Sequence, residues 1–330
     1  MSRASSFALV LLVGWIGAWP GPALASSLRF YGHGIAAPDL DRVKIRIDDP
    51  ALSADPGPPV DVGATDFTIE FFMNASAADN TASAVTCGFN IDWIFGNIVI
   101  DRDRFNQGRK YGVSIAGGEV VFGVSGDGTG DATLCSTTNV LDDGWHHVAL
   151  QRRRSDGLLS LYVDGVREAL LDGPDGDVSY PDDGVPGPFC GGPCTNSDPF
   201  IVLGAEKHDA GASFPSYAGL LEELRFSNVL RYSGTSFSVP TGPFVADAST
   251  VGLYHFDGPV GACSGTVPDA SSVPTAGVCR FGGAAPAGPV YAADSPFSPS
   301  LAVPSLPGPL GVSLALLLLA AGRGASRRGA

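Results

Sequence analysis

Gly144-Trp145-His146-His147-Val148-Ala149-Leu150 and, a polar turn later, Leu159-Ser160-Leu161-Tyr162-Val163-Asp164-Gly165 decide the fold of this chain. Both runs are rich in β-branched and aromatic residues, and the second closes on Asp-Gly, a strong short-range hairpin signal. Side chains alternate across a strand, so His146 and His147 point to opposite faces and one metal ion cannot easily take both. The pair therefore reads as structural, packed beside Trp145, and the two runs as neighbouring antiparallel strands.

The pattern continues in both directions. Arg42-Val43-Lys44-Ile45-Arg46-Ile47-Asp48 alternates strictly and predicts a half-buried strand with Val43, Ile45 and Ile47 on its inner face. Asp66-Phe67-Thr68-Ile69-Glu70-Phe71-Phe72-Met73 turns Phe67, Ile69, Phe71 and Met73 inward. Further strands are predicted over 28–31, 97–101, 111–115, 119–124, 200–204, 219–226 and 251–256. No stretch between the termini sustains a 3.6-residue period, and 44 Gly and 26 Pro supply turns. The fold class is all-β, an antiparallel two-sheet jelly-roll sandwich over residues 26–293.

The termini read as addresses. Residues 1–25 form a secretory signal: Arg3, the apolar run from Phe7 to Trp19, and a small-x-small cleavage site at Ala23-Leu24-Ala25, so the mature chain is expected to begin at Ser26. Residues 294–309, rich in Pro, Ser and Ala, read as a stiff spacer. Residues 310–330 hold an apolar run ending in Arg323, Arg327 and Arg328. As a helix the run from Leu310 to Gly322 would span about 20 Å, short of a hydrocarbon core of about 30 Å. Val303-Pro304-Ser305-Leu306, the run and the basic tail resemble the PEP-CTERM and IPTL-CTERM sorting tags of Gram-negative surface proteins. Either sorting or a permanent membrane anchor makes the protein exported, to the cell surface, the outer membrane or the medium.

Charge and cysteines agree with export. Without the two terminal segments the chain carries 16 basic and 34 acidic residues, a net charge of −18, which repels a phosphate backbone and argues against nucleic-acid binding. The six cysteines, Cys87, Cys135, Cys190, Cys194, Cys263 and Cys279, are expected to be oxidised in an exported protein. Of the possible pairings the order in sequence is expected: Cys87–Cys135, Cys190–Cys194, Cys263–Cys279. Zinc is disfavoured because no second Cys/His pair has ligand spacing.

Phe67-Thr68-Ile69-Glu70-Phe71-Phe72, Gly144-Trp145-His146-His147-Val148, Leu161-Tyr162-Val163-Asp164-Gly165-Val166, Ile201-Val202-Leu203-Gly204 and Gly219-Leu220-Leu221-Glu222-Glu223-Leu224-Arg225-Phe226 occur in the order of the bacterial laminin G-like, concanavalin A-type jelly-roll family, which residues 28–292 resemble. Tyr254-His255-Phe256-Asp257 and Asp269-Ala270-Ser271 are similar to its closing segment, without the Glu and Gly-Asn-Gly that usually accompany it. The resemblance implies a binding or adhesion fold and makes Asp257 and Asp269 candidate calcium ligands.

The longest break, from Leu171 to Pro199, holds Asp172, Asp175, Asp177, Asp182, Asp183 and Asp198 with the Cys190–Cys194 clip. Sugar sites combine exposed aromatic rings with Asp or Asn. Asp175, Asp177, Tyr180, Phe189, Phe214 and Tyr217, in or near this loop, are the expected binding residues. Glycoside hydrolysis on this fold needs Glu-x-Asp-x-x-Glu along one strand, which is missing, and Glu222 and Glu223 are adjacent and expected to diverge. No Gly-x-Ser-x-Gly elbow is present. The expected function is non-enzymatic: binding of carbohydrate or matrix polymer, with calcium a possible cofactor. A structural or adhesive protein–protein module is the alternative.

Overall fold

The run opening on Trp145 lies within the strand Asp142–Arg152, and the next run forms Leu158–Val163 beside it, with Val148 opposite Val163 and Leu150 opposite Leu161. The computed structural model describes residues 26–36, 38–48, 57–181 and 199–297. Its strands in chain order are β1 (Ser27–Tyr31), β2 (Arg42–Arg46), β3 (Phe67–Ser76), β4 (Asn97–Arg102), β5 (Lys110–Ala116), β6 (Glu119–Ser125), β7 (Asp131–Cys135), β8 (Asp142–Arg152), β9 (Leu158–Val163), β10 (Val166–Asp172), β11 (Phe200–Leu203), β12 (Ala218–Ser227), β13 (Thr250–Tyr254), β14 (Gly261–Ala262), β15 (Gly265–Val267), β16 (Gly277–Arg280) and β17 (Val290–Ala292).

Among the described residues these strands form two antiparallel sheets. The nine-stranded sheet runs β10-β9-β8-β3-β12-β1-β17-β14, with β13 also paired to β12. The eight-stranded sheet runs β15-β16-β2-β11-β4-β5-β6-β7. The core lies between them. From one sheet come Phe67, Ile69, Phe71, Met73, Val148, Leu150 and Leu161; from the other, Val43, Ile45, Val113, Phe122 and Ile201, all buried. This is the two-sheet jelly roll expected from the alternation.

The nine-stranded sheet also buries its outer face. The segment after β12 folds across it and lays Tyr232, Phe237 and Phe244 against Tyr162, His147 and Phe72. Beneath this cover Glu70 is fully buried: Oε1 accepts from Arg225 Nη2 at 2.7 Å, Oε2 accepts from the Tyr232 hydroxyl at 2.6 Å, and His147 Nε2 lies 3.3 Å away. Three motif residues, Glu70, His147 and Arg225, and Tyr232 thus make one desolvated polar knot, which holds only because each charge has a partner.

The outer face of β2 departs from expectation. Lys44 is buried too, paired with Asp39 at 3.1 Å and lying over the Phe200 ring, so the strand is covered on both faces. Packing also runs past the expected boundary at 293. Ser295 is buried and Phe297 meets Phe72 edge-on, 4.9 Å between centroids.

Cys87–Cys135 and Cys263–Cys279 are bonded as expected, with Cα atoms 5.9 and 5.8 Å apart. The second sits where the chain passes from β14 in one sheet to β15 in the other. Cys190–Cys194, the signal segment and the C-terminal run lie outside the described residues.

Candidate functional site

A short 3-10 turn, Asp92–Phe95, lies over the eight-stranded sheet, and its tryptophan works as a peg. Trp93 is buried against Gly112 of β5 and Gly123 of β6. A Cβ at either glycine would collide with the indole, so these strand-interior glycines make the seat into which the ring fits. Ser114 Oγ donates to the Trp93 carbonyl at 2.6 Å, and the Trp93 amide donates to Thr133 Oγ1 at 3.3 Å. With the turn pinned, Phe95 is held outward, 47% exposed.

Phe95 does not stand alone. Its ring stacks on Phe214, centroids 6.0 Å apart and planes 14° from parallel. Phe214 closes a tight turn in which it and Gly211 exchange backbone hydrogen bonds at 3.0 and 3.1 Å, and the next carbonyl, of Pro215, accepts from Ile98 at 2.8 Å. Phe95 faces a cleft of 500 Å³ walled by Thr81–Thr86, Asp92, Ala212 and Pro215. Phe214 faces a second cavity of 240 Å³, lined by Ile91, Trp93, Phe105 and a group of carboxylates. The Cys87–Cys135 bond ties the loop that walls the first cleft to the end of β7.

The carboxylates of the second cavity are Asp101, Asp103, Glu206 and Asp209. Asp101 accepts from the backbone amides of Asp103 at 2.6 Å and Lys207 at 2.8 Å. Burial, with Glu206 and Asp103 nearby, pushes its pKa up to about 7. Asp209 is raised to about 6 by burial and the Glu206 charge. At Asp103 burial acts in the same sense, but His208 and Lys110 outweigh it and hold the carboxyl well below the ordinary range. Lys110 Nζ is 2.9 Å from Asp103 Oδ1, and His208 Nδ1 is 3.3 Å from Glu206 Oε1. Glu206 is likewise held ionised against its burial, chiefly by His208. At neutral pH the cavity therefore offers fixed acceptors beside carboxyls poised to accept or donate, next to an apolar ring. Hydroxyl-bearing rings suit such a wall.

The structure sorts the expected site residues. Phe214 is at the surface and in the rim. Tyr180 and Tyr217 are not available: they are 2% and 0% exposed, members of the core, and Tyr217 donates its hydroxyl to the Leu220 carbonyl at 3.0 Å. A buried ring cannot stack on a sugar, so both are corrected from binding to packing. Asp177 pairs with Arg109 at 2.9 Å and accepts from Ser179 N, and Asp175 is exposed beside it. Phe189 lies outside the described residues.

The calcium candidates Asp257 and Asp269 both accept backbone amides. Both Asp269 oxygens are engaged by backbone amides: Oδ1 by Leu253 and Ser271 at 2.9 and 2.8 Å, Oδ2 by Thr275 at 2.7 Å. Asp257 is exposed and accepts from the Ser26 amide at 3.2 Å. Among the described residues the cluster of ligand type is Asp103, Glu206 and His208, donor atoms within 4.8 Å of one another. It includes a nitrogen, and Lys110 already neutralises Asp103. Calcium wants six to eight oxygens, so these residues do not fit it.

The histidines behave as strand alternation requires. His146 bonds Asp164 at 2.8 Å and Asp142 at 3.0 Å, while His147 meets Glu70 within the buried knot. Glu222 and Glu223 do not diverge as expected. A bulge between Glu222 and Arg225, with Glu223 at φ 56°, brings both to the outer layer, where Glu222 meets Ser295 and Glu223 meets the Phe244 amide.

A family model described as the concanavalin A-like lectin/glucanases superfamily matches residues 49–232. The chain belongs to that superfamily. No curated protein matches the chain. Solved structures resemble this lectin/glucanase-type chain at low identity. One is a candidate carbohydrate-binding protein of Bacteroides ovatus, 15% identical, covering 77% of this chain and 58% of its own, TM-score 0.43. A second is the heptameric SAP-like pentraxin of Limulus polyphemus, 12% identical, covering 63% and 78%, TM-score 0.37. A third is LG4-5 of the mouse laminin α1 chain, 16% identical, covering 66% and 47%, TM-score 0.37. Sequence reasoning missed Trp93, Phe95 and the Asp101–Asp209 cavity of this superfamily member. The available signal was Gly112 and Gly123, which interrupt otherwise β-branched strands where something must approach closely.

Proposed function

We propose that this chain is an exported, non-enzymatic module that binds carbohydrate or an extracellular polymer at the Phe95–Phe214 rim. The stacked, partly exposed aromatic pair between a cleft and a carboxylate-lined cavity carries the reading. The rings would take the apolar face of a sugar, and Asp103 and Asp209, the accessible carboxyls of the cavity, its hydroxyls. The overall charge of −14 and the acidic cavity favour neutral or basic glycans over uronates and sulfated polymers. Membership of a superfamily of lectins and glucanases accords with this, as do the two disulfides with export.

The protein–protein alternative would use a free sheet edge. The exposed Val166 and Leu170 lie on edge strand β10. That edge is partly occupied: Arg167 N donates to Thr235 O at 2.8 Å, and Glu168 accepts from Thr137 N at 2.7 Å. A glycan array probed with the exported protein, with calcium and with chelator, tests the proposal. Neutral glycans retained in both conditions and lost with Phe95→Ala support it. A blank array, or binding indifferent to Phe95, turns the choice to the protein–protein reading.

A further inference from the structure

Ser26 is buried immediately before β1, an interior strand between β12 and β17, and the turn after β13 holds it. Its backbone nitrogen donates to Asp257 Oδ1 at 3.2 Å. Its hydroxyl oxygen accepts from Gly258 N at 2.9 Å and lies 3.1 Å from the carbonyls of Phe256 and Gly258. The β1–β12 register, with Leu28 opposite Leu221, carries Ser27 toward Glu222.

The surroundings are acidic. Asp257, Glu223 and Asp294 all act on Glu222, which burial above all raises to about 8. Glu222 is 1% exposed; Oε1 accepts from Ser295 Oγ at 2.7 Å, but Oε2 has no hydrogen-bond partner. Among the described residues the ion pair within this group is His255 Nδ1 with Glu223 Oε1, at 2.7 Å. Asp257 thus meets the buried Ser26 nitrogen directly, and it acts in turn on Glu222, which keeps an orphaned oxygen. A buried acceptor left unmade is costly, and a second cation here would relieve it.

The sequence supplies that cation independently, because the small-x-small motif Ala23-Leu24-Ala25 ends immediately before Ser26. We infer that Ser26 is the amino-terminal residue of the exported protein and that its α-ammonium is a structural cation, seated against Asp257 in the acidic pocket completed by Glu222. An endopeptidase adds water across the Ala25–Ser26 bond: the C–N bond breaks, hydroxyl goes to the Ala25 carbonyl carbon, and a hydrogen to the Ser26 nitrogen. The freed amine takes a proton from solvent. A neutral amide with one N–H becomes a cation with three, at a position the fold already holds. Removal of the leader therefore adds a charge pair to the folded domain.

The sign of the pH effect follows. An α-amine paired with carboxylates has its folded pKa raised above the ordinary value of about 8. Its contribution is complete below the unfolded pKa and is lost as pH rises through the folded one. The test compares chains beginning at Ser26 and at Ala23, both running to Ala330, by calorimetry from pH 6 to 10, and reads the amino terminus of the exported protein by mass spectrometry. The Ser26 form is expected to melt about 4 °C higher at pH 7, the gap closing above the amine pKa. Asp257→Asn is expected to abolish the gap even if it lowers both melting points, and Glu222→Gln to narrow it. Equal melting points, a gap that survives Asp257→Asn, or an exported protein starting elsewhere than Ser26 would each overturn the inference.

Discussion

Phe95 and Phe214 stack 6.0 Å apart although neither lies in a strand and they are 119 positions apart in the chain. Each is held by its own device, Phe95 by the Trp93 peg and Phe214 by the Gly211 turn. Two separately braced rings form a preorganised platform, so binding spends little on ordering them. Phe214→Ala is expected to weaken binding of an array-identified glycan about tenfold. The melting point should barely change, because the ring is partly exposed. Titration calorimetry against that glycan checks it; unchanged affinity would remove the rim from the site.

Trp93 and Gly123 make a tighter pair. Gly123→Ala puts a methyl where the indole sits and is expected to cost about 1–3 kcal/mol. Trp93→Ala leaves a cavity and is expected to cost about 3–5 kcal/mol. Urea unfolding measures both. The linked expectation is that Gly123→Ala also lowers glycan affinity, since the displaced turn carries Phe95.

The Cys87–Cys135 bond closes a loop with a sequence separation of 48 that includes Phe95. On the chain-entropy account such a bond contributes up to about 4 kcal/mol. Replacing both cysteines with serine should lower the melting point and expose residues 81–91 to limited proteolysis. Cleavage elsewhere first would show that the bond does not brace this loop.

His146 predicts a pH dependence of its own. The Asp164 hydrogen bond, with Asp142 adding, raises its pKa from 6.5 to about 9 despite partial burial. The protonated ring therefore stabilises the fold below pH 6.5, and that contribution fades as pH rises through about 9. Melting points between pH 6 and 10 should fall more steeply for the parent than for His146→Gln. Comparing the two at fixed amino terminus separates this slope from any other titration in the same range.

Much of the sandwich is legible in the sequence because strand alternation is local. Phe67, Ile69, Phe71 and Met73 go inward for the same reason that His146 and His147 part company. What alternation cannot show is a break in itself. The bulge at Glu223 returns two neighbouring glutamates to one layer, and only the φ of 56° betrays it. Tyr180 and Tyr217 look like binding residues because they lie in or near the long Asp-rich loop, yet the core takes them. Phe95 and Asp101 escape for another reason: they meet the expected Phe214 from two other, distant segments. Their composition is ordinary, and only the glycines under Trp93 hint at the meeting.

The first and last strands of the described fold lie side by side, Ser27 opposite Ala292. The chain enters and leaves the sheet at one point. Any load carried through the C-terminal segment would first free Phe297 and Ser295 and then draw on β17 as on a zipper, parting one backbone pair at a time rather than shearing the strand whole. Yielding would run back through the turn from Phe281 to Pro289 and reach Cys279, bonded to Cys263. There the bond hands the load straight to Cys263, so the loop it closes, residues 264–278, is the stretch that tension bypasses.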